Sequence, residues 1–252
     1  MNMFLHLFVP LLIWFQVEPT STTSLAEEST GIAVVELFTS QGCSSCPPAD
    51  AHLAKLVEKA EKEGIAIYPL SFHVDYWNYL GWKDPYSTEA YSERQYAYAR
   101  GLGERVYTPQ MIINGKDVFV GSDQRKGELY LKKALSMPST HSLSLGVSSG
   151  NKGSVKIDYT IEGKLNQYVL NLAIVQDGIS DKVSRGENRG RTLKHSHVVQ
   201  KFQTISLDKA SGTTQLEIPE NISNASIIAY VQHRENFQIG GASVLKLPGT
   251  IN

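Results

Sequence analysis

The run Ile32-Ala33-Val34-Val35-Glu36-Leu37-Phe38-Thr39-Ser40-Gln41-Gly42-Cys43-Ser44-Ser45-Cys46-Pro47-Pro48-Ala49 decides how this chain is read. Residues 32–38 are apolar apart from Glu36, the composition of a buried strand. Over residues 49–62, Leu53, Leu56, Val57 and Ala60 recur at helical spacing, and Gly64 ends the pattern. Cys43 and Cys46, the only two cysteines in the sequence, fall at the junction between strand and helix. The first turn of a helix offers unpaired N–H groups and partial positive charge, which favour thiolate over thiol. The spacing therefore predicts an exposed, attacking Cys43 and a less accessible, resolving Cys46 one turn further in. Pro47 and Pro48 suit that first turn, where few intrahelical N–H bonds are forfeited. The plainer alternative is a fixed disulfide, although so small a loop gains little from being stapled.

Outward from this junction, strand and helix alternate through residues 31–137. A second apolar strand spans 65–74. Asp84-Pro85 reads as an N-cap with Pro at the first helical position, opening a helix that runs to Arg100 before Gly101. Residues 109–113 and 118–120 form a hairpin around Asn114-Gly115, and a last helix covers 122–135. This order, β-α-β-α-β-β-α, is that of an α/β thioredoxin-like domain, a mixed sheet with helices on both faces. Residues 142–247 have another texture. Six runs of alternating or β-branched character (143–147, 154–161, 168–176, 196–207, 214–218 and 226–233) are separated by Ser, Gly, Asn and Asp, with no helix signal between them. They predict an all-β antiparallel sandwich-like domain, joined to the first by a linker near residues 137–140.

Composition narrows the function. With 24 basic and 25 acidic residues, no global field draws the chain to nucleic acid or anionic lipid. There is no Gly-rich phosphate loop and no internal repeat. Residues 4–17 are almost all apolar, too short a run for a comfortable membrane span. With small residues at Ser24 and Ala26, residues 1–26 read as a signal peptide, leaving no membrane span once cleaved. An uncleaved N-terminal anchor is the alternative, because no Lys or Arg precedes the apolar run. Either way the body is expected outside the cytosol, periplasmic or extracellular, where a Cys43–Cys46 disulfide is chemically reasonable.

Other residues group around the cysteines by expectation. In thioredoxin-like folds a proline opening the strand after the middle helix is cis and sits beside the Cys-x-x-Cys. Thr108-Pro109 holds that place, with an ordinary turn proline as the alternative. The run Thr108 to Gly115, with Gly121-Ser122-Asp123 after it, resembles glutaredoxins, where the last group holds a carboxylate of glutathione on helix N–H groups. The same residues serve equally as a helix cap. Glu36 is either a buried proton acceptor for the resolving thiol or an outward-pointing side chain. Tyr76, Trp77 and Trp82 belong to an aromatic segment that can border the cysteines as a binding surface or pack a helix. His73 can stabilise a thiolate or, with Cys43 and Cys46, ligate copper. Residues 185–191, leading into Lys194-His195-Ser196-His197, read as a solvated loop, with His195 and His197 on one strand face as a weak metal pair or an anion patch in the alternative.

Residues 35–50, His73-Val74-Asp75-Tyr76-Trp77, Leu80-Gly81-Trp82-Lys83-Asp84-Pro85, Tyr107-Thr108-Pro109-Gln110, Glu187-Asn188-Arg189-Gly190-Arg191 and Leu193-Lys194-His195 together resemble one group. It is the secreted thioredoxin-like family catalogued as domain of unknown function 1223, and the resemblance spans about residues 31–245. It implies a thioredoxin-like domain fused to a β-rich one and brings no settled activity. The residues themselves point to an exported thiol–disulfide oxidoreductase that needs no cofactor beyond its own disulfide. Its partners would be protein thiols and disulfides or a glutathione-like thiol, plus a redox partner still to be identified. A copper carrier and a non-catalytic partner-binding protein with a structural disulfide are the alternatives.

Overall fold

The computed structural model describes Met1 and residues 31–151, 153–220 and 222–247. The signal peptide expected at residues 1–26 lies, Met1 apart, outside the described residues. The elements in chain order are β1 (Ala33–Thr39), α1 (Pro47–Glu63), β2 (Ile67–His73), α2 (Glu89–Leu102), β3 (Gln110–Ile113), β4 (Asp117–Val120) and α3 (Gln124–Ser136). There follow β5 (Ser142–Asn151), β6 (Ser154–Glu162), β7 (Tyr168–Gln176), β8 (Ile179–Lys182), β9 (Thr192–His195), β10 (Val198–Ser206), β11 (Ser211–Glu217), β12 (Ala225–His233) and β13 (Ile239–Lys246). No helix among the described residues is long and apolar enough to cross a membrane.

Strands from both halves of the chain form one mixed sheet, in the order β13-β12-β7-β10-β2-β1-β3-β4. β1 runs parallel to β2 and antiparallel to β3, and the β3–β4 hairpin turns through Asn114 and Gly115, both at positive φ. The seam between the halves is short: Val198 of β10 pairs with Ser71 of β2. Two antiparallel layers do pack face to face in residues 142–247, as expected of a sandwich, but not as a unit separate from the first sheet. Instead β7, β10, β12 and β13 extend the first sheet, while β5, β6 and β11 form a three-stranded antiparallel sheet and β8–β9 a separate hairpin.

Side-chain alternation explains the layers. On β1, Ala33, Val35 and Leu37 face α1 and α3, where they pack with Leu53, Leu56, Met111, Phe119 and Leu131. Val34 and Phe38 face the other way and join Phe72, Tyr91, Tyr98, Val199, Ile228 and Tyr230 under α2. On β7, Leu170, Leu172 and Ile174 face the three-stranded sheet, whereas Ala173 and Val175 belong to the α2 side. Strands covered on both faces read as unbroken apolar runs, which is why β1 and β7 stand out in the sequence.

Two local expectations are corrected. Asp84-Pro85 does not start α2; Thr88 is its N-cap, and Asp84 is drawn inward to bond other groups. The strand expected over 196–207 forms as β10 but starts at Val198, because His197 takes a φ of 48° and separates it from β9.

Candidate functional site

Cys43 and Cys46 are joined by a disulfide with Cα atoms 5.5 Å apart, and no cysteine is left free. Cys46, not Cys43, is the N-cap of α1; its carbonyl accepts from Ala49 N–H at 2.8 Å and Asp50 N–H at 3.1 Å. The expected exposure of Cys43 is not found: it is 1% exposed and Cys46 0%. Ser44 and Ser45, between them, face solvent.

A strap from the far half of the chain is bonded to the backbone of Gln41, Cys43 and Ser44. Residues 183–191 close the β8–β9 hairpin, cinched by Val183 N–H to Arg191 O at 2.9 Å and Gly190 N–H to Val183 O at 2.8 Å. Asn188, fully buried, donates from Nδ2 to the carbonyls of Gln41 at 3.0 Å and Cys43 at 2.9 Å. Arg191 holds the Asn188 side chain in place by donating to its Oδ1 at 2.8 Å. Glu187 accepts from the Ser44 backbone N–H at 2.9 Å, and that bond holds its carboxyl below the ordinary value. Gly186, at φ 73°, lets the strap turn over Leu80 and Trp82. In the sequence this segment stands out only as part of a resemblance and otherwise reads as a solvated loop.

The remaining expected residues fall into several groups. The Thr108–Pro109 peptide bond is cis. Gly121 packs against Ala49 and Pro109, so the proline lies beside the first turn of α1. Thr108 accepts from the indole N–H of Trp77 at 2.8 Å, and the Trp77 backbone and Cβ close on Gly42. Trp77 thus bridges Thr108 and the turn entering the cysteines. Tyr76 donates to Gln95 at 3.0 Å, and its burial pushes the phenol up to about 12. Trp82 donates to Gln41 Oε1 at 2.9 Å. All three aromatics are half-buried with tied polar ends, while Tyr79, which the sequence did not single out, is 78% exposed.

Gly121, Ser122 and Asp123 have structural partners. Gly121 N–H bonds Pro109 O at 2.9 Å, its carbonyl pairs with His52 Nδ1 at 2.8 Å, and Asp123 caps α3 through Lys126 N–H at 3.1 Å. The expected alternative of a helix cap therefore describes Asp123.

Glu36 sits on the wrong face of β1 to serve Cys46. It shares the side of Val34 and Phe38, under α2, whereas the cysteines open α1 on the opposite side. There Arg94 donates to it at 2.9 and 2.7 Å, Tyr230 at 2.6 Å, and Tyr98 by a further short bond. Burial opposes the Arg94 charge, but Glu36 outweighs it and holds the guanidinium protonated. The guanidinium also lies 4.7 Å over the Phe202 ring. A charge so enclosed ties α2, β1 and β12 together.

His73, fully buried, pairs through Nδ1 with Asp84 at 2.8 Å. Burial lowers the His73 pKa, yet the charge and hydrogen bond of Asp84, with Asp50 and Asp181 behind, leave it above its ordinary value. Burial likewise opposes the Asp84 charge, but His73 and the N–H groups of Gln41 and Tyr86 hold that carboxyl below its ordinary value. Among the described residues, no three His, Cys, Asp or Glu side chains are arranged to hold a metal ion.

His195 and His197 part company. His197 turns to Pro69 O at 3.0 Å. His195 is buried, not solvated, with its ring 4.8 Å from His73 and its Nδ1 3.7 Å from Asp50. Asp50, in the first turn of α1, accepts from Thr39 Oγ1 at 2.9 Å. A cleft of about 660 Å³ opens between α1 and the β8–β9 hairpin, lined by Pro47, Asp50, Ala51, Ile179, Leu193 and His195 among others.

The chain matches the family described as Protein of unknown function (DUF1223) over residues 34–232. The crystal structure of protein AGR_C_4864 from Agrobacterium tumefaciens is similar, with 32% identity, a TM-score of 0.62, and coverage of 85% of this chain and 94% of that one. A domain of the outer membrane lipoprotein Omp28 from Porphyromonas gingivalis also matches, at 16% identity and a TM-score of 0.24 over 43% of this chain and 96% of that one. No curated protein matches.

Proposed function

The chain belongs to that family of unknown function, DUF1223, and from the site it carries we propose thiol–disulfide exchange through Cys43 and Cys46. The observation that carries the reading is the disulfide at the opening of α1, with Pro109 packed beside that first turn through Gly121. On this reading β4-β3-β1-β2, with α1 and α3 on one face and α2 on the other, is a thioredoxin-like unit. The β-rich half then supplies the strap. The apolar run before residue 18 and the disulfide support an exported protein in an oxidising compartment.

In the reducing direction Cys43 thiolate attacks a substrate disulfide and releases one substrate thiolate. Cys46 then attacks Cys43 Sγ, releasing the second substrate sulfur and leaving the Cys43–Cys46 disulfide. The oxidising direction runs these steps backwards, and known pairs of this kind work either way. Because Cys43 is buried and the strap is bonded to its carbonyl, this reading has the strap lift for a substrate sulfur to arrive in line. The reading is tested by reduction of insulin disulfides and by oxidation of a reduced test protein, each with and without Cys43→Ala. Catalysis in at least one direction that disappears in the variant is expected. No catalysis in either direction, even with the strap loosened by Asn188→Ala, would overturn it.

A further inference from the structure

We propose that Asp50 is the proton acceptor for the Cys46 thiol and that His195 positions it. This role rests on the exchange reading above and is one step within it. The role anticipated for Glu36 is vacant, because Glu36 lies across the sheet with Arg94. Asp50 follows Cys46 by one helical turn, its N–H bonded to the Cys46 carbonyl at 3.1 Å. Residues four apart on a helix share a face. Asp50 is 5% exposed and is the acidic residue of that first turn.

The surroundings fix which hydrogens face Asp50. An indole N–H can only donate, so the Gln41 atom that accepts from Trp82 at 2.9 Å is the oxygen. The other end of that amide is then the nitrogen, which donates to Asp181 Oδ2 at 2.9 Å and faces His195 Nε2 at 3.4 Å. Facing a donor, Nε2 is the bare nitrogen of the ring, and the proton sits on Nδ1. That Nδ1 has no hydrogen-bond partner and lies 3.7 Å from Asp50 Oδ2. Asp50 thus accepts from Thr39 on Oδ1 at 2.9 Å and is approached by an N–H from the other side. The other charged groups around it are His73 and Asp84 from the β2 side, Asp181 of β8, and Arg191 and Lys194 by the cleft.

In the mixed disulfide, Cys46 loses its proton to Asp50 and its thiolate attacks Cys43 Sγ. The Cys43–substrate S–S bond breaks, and its electron pair leaves on the substrate sulfur. The Cys43–Cys46 pair is thereby oxidised and the substrate disulfide reduced. Asp50 and His195 both line the cleft beside α1, which gives the proton a way out to water.

The test follows one turnover of the reduced protein with an equivalent of an aromatic disulfide, 5,5′-dithiobis(2-nitrobenzoate). Attack by Cys43 releases the first coloured thiolate, and resolution by Cys46 releases the second. For Asp50→Asn the first release should match wild type. The second should slow by roughly a hundredfold at neutral pH, the scale of a lost general base, and recover as the medium takes over deprotonation at high pH. His195→Gln should slow the second release less. Thr39→Val keeps the carboxylate and removes its anchor, so it should give an intermediate rate if Asp50→Asn folds poorly. A second release unaltered in Asp50→Asn, or slowed equally at every pH, would overturn the assignment. No first release from the wild-type protein would remove the exchange reading and this step with it.

Discussion

Asn188→Ala tests whether the strap is what shields Cys43. In the closed state the amide nitrogen serves two buried carbonyls, Gln41 O at 3.0 Å and Cys43 O at 2.9 Å. The third bond, Arg191 to Asn188 Oδ1, lies within the strap and survives opening, so it does not enter the difference. A hydrogen bond contributes about 1 kcal/mol net, so losing two weakens closure by about 2 kcal/mol. Alanine also leaves both carbonyls without their donors while the strap is shut, whereas in the open state water serves them. By the usual conversion, ~2 kcal/mol enlarges the open population roughly thirtyfold. The assay is the rate at which a small dithiol reduces the Cys43–Cys46 disulfide of the folded protein, far from its unfolding transition. That rate follows the open population when opening is fast compared with reduction. A rise of roughly thirtyfold is expected, with the reduced protein still folded by circular dichroism. A rate within about twofold of wild type, in a protein whose disulfide has formed, would mean that the strap is not the shield.

Three further outcomes are expected. Glu36→Gln strips a fully buried carboxylate from Arg94 and should cost roughly 3–5 kcal/mol in urea unfolding, the scale for breaking a buried pair. Because Glu36 faces away from the cysteines, the disulfide reduction rate of the folded variant should stay within about twofold of wild type. Glu187 has a depressed carboxyl, so its grip on Ser44 is present above its ordinary value of 4.5 and is lost as pH falls through the depressed one. Glu187→Gln should therefore be reduced faster than wild type at neutral pH, with the ratio shrinking toward one as wild-type Glu187 protonates; a pH-independent ratio counts against it. His73 is raised, so its contribution with Asp84 is complete below its ordinary value of 6.5 and fades as pH rises through the raised one. Unfolding in urea across that window should show wild type losing stability while His73→Gln does not.

How much of this was legible depends on what each residue's partner is. Strands and helices of residues 31–137 come through because burial on a sheet or one side of a helix leaves a period in the residues themselves. Leu53, Leu56 and Val57 declare α1, and Asn114-Gly115 declares its turn, since only tolerance of positive φ is needed there. Asp84-Pro85 misled for a related reason. Local chemistry favours a cap, but a buried imidazole at 2.8 Å and the Gln41 N–H at 2.8 Å offer that carboxylate more than an exposed helix start does. β8 and β9 are short and mixed in character, and nothing in four residues marks a hairpin that will bend over a site far away in sequence. The joint sheet was equally hidden, because one bridged pair, Val198 with Ser71, sets the seam.

The same contrast explains why the cysteines were found and their burial was not. A Cys-x-x-Cys followed by Pro is a local signal, and helix geometry fixes what its first turn can do. Exposure is not local. The strap residue bonded to the Cys43 carbonyl is Asn188, which stands 145 residues away and carries no signature beyond being an asparagine in a glycine-flanked loop. Asp50 shows the middle case. Its place one turn after Cys46 is visible in the sequence, yet an acidic residue in a first turn is ordinarily explained by the helix dipole. Only Thr39 from β1 and His195 from β9 separate this carboxylate from that explanation. The cysteines come from one half of the chain, while the strap and the imidazole beside Asp50 come from the other. A chain cut short near residue 137 would therefore keep the disulfide but lose Asn188, Glu187 and His195. Such a chain would also lose Val199, Ile228 and Tyr230 from the core under α2, so the shield is tested by Asn188→Ala in the whole chain and not by truncation.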